Sequence, residues 1–94
     1  MPVLFLISIT KIHDPKRYQT YVEQVKPIIE QYGGRYTVES DHLLKSRDWE
    51  AEKIVILEFA SEEKMNACFS SQAYQRVSHL REGAIESSFI ALNP

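Results

Sequence analysis

Two short runs of this sequence are apolar on both of their alternating faces, and they limit what the chain can fold into more than any other feature. VLFLISI at residues 3–9 and KIVILEF at Lys53–Phe59 set branched and aromatic side chains at successive positions. A strand with one wet face would instead alternate apolar with polar. Each run therefore reads as a central strand covered on two sides, and whatever else the chain forms must supply both covers.

The segments between them are short. VLFLISITKI (Val3–Ile12) is the first strand, ended by His13, Asp14 and Pro15. Asp followed by Pro opens a helix well, because the carboxylate caps free amides and the ring fits the first helical position. Tyr18, Tyr21, Val22, Val25, Ile29 and Tyr32 then share one helical face. Pro27 removes the hydrogen bond to the Glu23 carbonyl and predicts a kink or short break; Gly33 and Gly34 stop the helix. RYTVES (Arg35–Ser40) alternates as a second strand with Tyr36 and Val38 on one face, and DHLLKSRDWE after it reads as a loop or strand extension. KIVILEF is the third strand. Ser61 with Glu62 and Glu63 opens a helix through Met65, Cys68 and Phe69. Ser70 and Ser71 interrupt it, and a second piece carrying Ala73, Tyr74, Val77, Leu80 and Arg81 ends at Gly83. IESSFIAL (Ile85–Leu92) is the fourth strand.

The order is βαββαβ with the second helix split, an α+β arrangement matching a ferredoxin-like four-stranded antiparallel sheet with its helices on one face. Ninety-four residues suit one domain over residues 1–94. Helices on one face leave the other face of both apolar strands bare, and a second copy packing sheet against sheet is the simplest cover, so a homodimer through the sheet faces is expected. Net charge is −2 with Lys and Arg dispersed, which disfavours nucleic acid as a partner. Cys68 is the lone cysteine, and no cationic segment precedes the first apolar run, so a cytoplasmic address is expected. That run is far short of the ~20 residues that span a bilayer, and no membrane association is expected.

Over nearly its whole length the chain resembles a family of small proteins, domain-of-unknown-function family 1330, in the dimeric α+β barrel superfamily. The resemblance rests on Asp14 and Pro15 followed by Tyr18 and Tyr21, on the YGGRY stretch at residues 32–36, on Asp48 and Trp49, on VILEF at residues 55–59, and on Ser71, Tyr74 and Arg81. The chain departs from the family pattern in LLKSRDW, where a glycine usually precedes the Asp and Trp pair, at Cys68 and Phe69, where an aromatic pair is usual, and in its ALNP ending. The resemblance implies a homodimeric barrel and brings no established reaction with it.

Several residues carry candidate chemistry. Arg81 shares an apolar stripe with Tyr74 and Val77. Its guanidinium either clamps an anion such as a carboxylate or pairs with Glu58, Glu86 or Asp48 while its stem packs on the core. Glu58 interrupts an apolar strand and must find a partner or shift its pKa upward. Trp49, beside Asp48 in a loop, either walls a pocket or covers the barrel end. Pro2 would offer a secondary amine, the catalytic base of the tautomerase superfamily, were Met1 removed; its place at the head of a strand explains it sufficiently. His13, His42 and His79 lie in three segments without metal-ligand spacing, and Cys68 on an apolar helix face reads as a small hydrophobe. Nucleotide and serine-hydrolase signatures are absent, so neither metal nor cofactor is expected. Two functions stand side by side: a homodimer binding a small organic ligand through Arg81, Trp49, Tyr74, Glu58 and Asp48, and a cofactor-independent monooxygenase, isomerase or decarboxylase acting on a small organic acid or aromatic.

Overall fold

The computed structural model describes residues 1–44 and 47–94. Strand β1 (Val3–Ile12) leads into helix α1 (Pro15–Gln31), followed by β2 (Arg35–Ser40), β3 (Lys53–Phe59), α2 (Glu62–Ser70), α3 (Gln72–Ser78) and β4 (Ile85–Leu92). The sheet order is β2-β3-β1-β4 with antiparallel neighbours throughout. The two-sided runs are therefore the two central strands, and the ferredoxin-like α+β architecture is realised.

The helix starts follow their capping chemistry. The Asp14 carboxylate accepts from the Arg17 amide at 3.1 Å, ahead of Pro15 at the first helical position. Ser61 accepts from the Lys64 amide at 3.2 Å. Ser71 does two things: its hydroxyl donates to the Cys68 carbonyl that closes α2 and accepts from the Tyr74 amide that opens α3. One serine thus splits the helical stretch, as its sequence position suggested.

The two adjacent glycines after α1 serve different needs. Gly33 takes a φ of 80°, which an L side chain rarely adopts. Gly34 is constrained by space, because a Cβ there would lie 2.6 Å from both Ile29 Cγ2 and Phe59 Cε1. The chain can turn from α1 into β2 this close to the core only with both.

Three local expectations are corrected. Helix α1 runs through Pro27 without the short break, one of the two outcomes expected there; Pro27 and Glu23 are both exposed, so the carbonyl that loses its donor faces water. Tyr36 and Val38 do not share a face. A register irregularity between them sets Tyr36 opposite Leu57 and Val38 opposite Ile56, which turns Tyr36 inward and Val38 outward. Helix α3 ends at Ser78, and Arg81 lies on the succession of tight turns that follows it, in which the amides of Leu80, Arg81 and Glu82 donate three residues back. The loop expected at DHLLKSRDWE is free of helix and strand at residues 41–44 and 47–52, and its Lys45 and Ser46 lie outside the described residues.

The core sits between the sheet and the helices. Val3, Phe5, Ile9, Val55, Leu57 and Phe59 meet Tyr18, Val25 and Ile29 of α1 and Met65, Cys68, Tyr74 and Val77 of α2 and α3. On the opposite sheet face the alternation places Leu4, Leu6, Ile54, Ile56, Ile90 and Leu92. Among the described residues no helix covers this face, and Ile90 is 58% exposed. Among the described residues, no helix is long and apolar enough to cross a membrane.

Candidate functional site

A cavity of about 330 Å³ lies between the helices and the inner sheet face. Inward alternation supplies its floor from Phe5, Ile7 and Ile9 of β1, Val55 and Leu57 of β3, and Phe89 of the edge strand β4. Helix α1 contributes Tyr18, Tyr21 and Val22, spaced so that all three face the sheet, and α2 contributes Met65 and Phe69. The aromatic rings form a contiguous surface: Phe5 lies 4.8 Å from Phe69 and 4.9 Å from Phe89, and Phe69 meets Tyr74 edge-on at 5.0 Å.

One corner of this apolar space is polar. Arg81 Nε donates to the Tyr74 hydroxyl at 3.3 Å, and the Tyr74 and Tyr21 hydroxyls lie 3.4 Å apart. Two backbone ties set the Arg81 turn in place: Arg17 Nη2 donates to the His79 carbonyl at 2.7 Å, and the Ala84 carbonyl accepts from the amides of His13 and Asp14. Among the described residues, no carboxylate forms an ion pair with Arg81. Burial, the largest single influence, pulls its guanidinium down, and the bond to Tyr74 together with the nearby Tyr74, Tyr21 and Glu82 oxygens outweighs it, so it remains a fixed positive charge.

Tyr18, Tyr21 and Tyr36 of the lining are held as neutral phenols. Burial first, and Tyr74 second, raise Tyr21; burial and the Glu39 carboxylate push Tyr18 up to about 12 and raise Tyr36 further. Beside them stands an ion cluster in which Glu39 contacts Lys26 at 3.4 Å and Lys53 at 3.9 Å. Each ammonium also sits on a ring, Lys26 over Tyr36 at 4.9 Å and Lys53 over Tyr18 at 5.3 Å. Cys68 is fully buried, and burial pushes its thiol up to about 11, leaving it un-ionised at neutral pH.

Of the residues singled out in the sequence, the fold brings Arg81 and Tyr74 together in the cavity and sets the other three elsewhere. Glu58 lies on the opposite sheet face, partly exposed, and pairs with Arg35 at 3.1 Å instead of with Arg81. Trp49 is on that side too, donating from Nε1 to Ser8 at 2.9 Å and accounting for the burial of that serine in the sheet. Asp48 precedes it, exposed. Pro2 stands exposed before β1 and does not line the cavity. Tyr21 and Tyr18 were not singled out as site residues; their hydroxyls on the apolar face of α1 were the available signal. Among the described residues, no group of three or more His, Cys, Asp or Glu side chains could hold a metal.

A family model described as a domain of unknown function, DUF1330, matches residues 3–93. The chain belongs to this family. Among solved structures, the DUF1330 chain is similar to a protein of unknown function from Rhodopseudomonas palustris at 19% identity and a TM-score of 0.83, covering 99% of this chain and 82% of that one. It is also similar to SnoaB, a cofactor-independent oxygenase from Streptomyces nogalater, at 12% identity and a TM-score of 0.73, covering 99% and 92% of the two chains. A third is a dimeric ferredoxin-like protein of unknown function from a Jannaschia species, at 10% identity and a TM-score of 0.75 with both chains fully covered. These likenesses establish the fold of the DUF1330 chain and nothing more about its chemistry. The comparison with curated proteins gives no match.

Proposed function

We propose that this protein is a homodimer that binds a small organic molecule in the cavity between its sheet and helices, anchored at Arg81. One observation carries the reading: a partly open, largely apolar space rich in aromatic rings, with a charged corner at Arg81, Tyr74 and Tyr21. Ligand sites have this composition, apolar walls with few convergent polar groups. At roughly 30 Å³ for each water-sized group, the cavity accommodates about ten such groups, the size of a substituted aromatic ring or a short aliphatic acid. A guanidinium without a carboxylate partner suits an acidic group on that molecule.

The dimer half of the reading rests on the bare outer face, where Leu4, Leu6, Ile54, Ile56, Ile90 and Leu92 would otherwise meet water. The dimeric ferredoxin-like neighbour is in keeping with it. Trp49, Glu58 and Asp48, expected as ligand contacts, then belong with this interface rather than with the cavity.

The same donors would also stabilise an oxygen that gains charge during a reaction, and this keeps the cofactor-independent enzyme as a second reading. Thermal melts of wild type and Arg81→Met against small organic acids and aromatics test the first. A ligand-dependent rise in melting temperature that is lost in the variant supports it, and no rise with any compound rejects it. Turnover of a bound compound by the wild type alone would move the assignment to the second.

A further inference from the structure

Hydrogen-bond accounting at the polar corner names the ligand more closely. Arg81 Nε donates to Tyr74, so one lone pair of that hydroxyl is taken. Between Tyr74 and Tyr21 only one of the two phenol protons can lie on the line joining the oxygens. Whichever donates to the other, the remaining phenol proton has no acceptor among the described residues and must find one on a ligand or in water. At 3.3 and 3.4 Å the two contacts are also longer than well-formed N–H···O bonds of about 2.7–3.2 Å and O–H···O bonds of about 2.5–3.0 Å respectively, so the three groups are not saturated by one another. The corner offers donors in excess, under a fixed positive charge.

From this we infer that the cavity takes a small aromatic phenol or enol and holds it through its ionised oxygen against Arg81, Tyr74 and Tyr21. This rests on the small-molecule reading above and narrows it. A neutral phenol would bring one more donor to a corner already in excess. A carboxylate would have its preferred side-on grip on the guanidinium obstructed, because that edge includes the Nε bound to Tyr74. A phenolate or enolate needs only one oxygen at the corner, and its charge delocalises into a ring or double bond, so it costs less to desolvate among Phe5, Phe69 and Phe89. The groups facing the bound oxygen would be the Tyr21 and Tyr74 hydroxyls, of α1 and α3, and the cation after α3. The nearest neighbouring charges are Glu82, acting on Arg81, the Glu39 carboxylate, which acts on Tyr18 and Tyr36 and is itself paired with Lys26 and Lys53, and Glu30, which acts on Tyr36. None of the raised tyrosines is a base at neutral pH, so the ligand's proton leaves to water or buffer as it binds, and only the ligand O–H bond breaks.

The probe is a nitrophenol, whose ionised form alone absorbs in the visible, with nitrobenzene as its isostere lacking the hydroxyl and benzoate as the carboxylate. Titrating the protein into nitrophenol below the probe's own pKa should raise the visible band. The apparent acid dissociation constant should increase about tenfold or more, as expected for an acid placed within a few ångströms of a cation. Arg81→Met should abolish that increase, and Tyr21→Phe with Tyr74→Phe should reduce it should the first variant fold poorly. Nitrophenol bound without a visible rise, or nitrobenzene or benzoate bound as tightly, overturns the phenolate inference and leaves the small-molecule reading standing. Binding of none of the three, nor of any other small organic molecule, overturns both.

Discussion

Arg81 Nε and the Tyr74 hydroxyl lie 3.3 Å apart, joining the turn after α3 to the helix itself seven residues earlier. The contact turns a cation that sequence reading left between two roles into one with a neutral partner and uncommitted donors. An Arg81→Met variant should therefore lose one hydrogen bond from a charged donor to Tyr74, worth about 1.5–3 kcal/mol, and no more. Had it been half of a buried ion pair, the loss would reach about 3–5 kcal/mol. Chemical denaturation of the two forms distinguishes these values.

Gly34 should tolerate no side chain. Gly34→Ala drives a methyl to 2.6 Å from Ile29 Cγ2 and from the Phe59 ring, both in the core. Overpacking of this kind costs about 1–3 kcal/mol. A melting temperature equal to the wild type's would show that the α1 to β2 turn relaxes at no cost.

Ile56→Lys should produce a monomer. Ile56 lies opposite Leu6 and Val38 at the middle of the uncovered sheet face, and a charge buried there against a second copy has no partner. Light scattering at micromolar concentration should give twice 10.9 kDa for the wild type and 10.9 kDa for the variant. Trp49 is the sole tryptophan and is hydrogen-bonded on this same face, so its emission should shift to longer wavelength as the wild type is diluted to monomer. A wild type already of monomer mass removes the dimer.

Stability should fall in alkali. Tyr18 rises from 10.0 to about 12 on folding, with burial the larger cause, and Tyr21 and Tyr36 move in the same direction. Each is protonated in the folded chain at a pH where the unfolded chain has ionised, so their contribution is complete below pH 10 and is lost as pH climbs toward 12 and beyond. For Tyr18 alone the loss is about 2–3 kcal/mol. Between pH 8 and about 12 the unfolding free energy of the wild type should fall more steeply than that of Tyr18→Phe; parallel curves would assign Tyr18 no part in the decline.

The element order was legible because it is written in local chemistry: Asp14 with Pro15 and Ser61 announce helix starts, Ser70 and Ser71 mark the split in the second helical stretch, the glycine pair ends α1, and two-sided apolar runs mark the central strands. The family resemblance was legible for the same reason. The site was legible only in part. Tyr74 and Arg81 sit close in sequence, so their meeting could be read from spacing, although the turn that achieves it could not. Tyr21 reaches Tyr74 across 53 positions, and no local pattern announces such a contact. Face assignment was the other unknown. In KIVILEF both sets of alternating positions are apolar, so periodicity shows that Glu58 shares a face with Ile54 and Ile56 without saying which face the helices take. The irregularity after Tyr36 then reverses the parity of a short strand. Local chemistry determined the elements and their order. The packing of α1 and α3 onto one side of the sheet decided which residues line the cavity, because only that choice brings side chains distant in sequence to the same side.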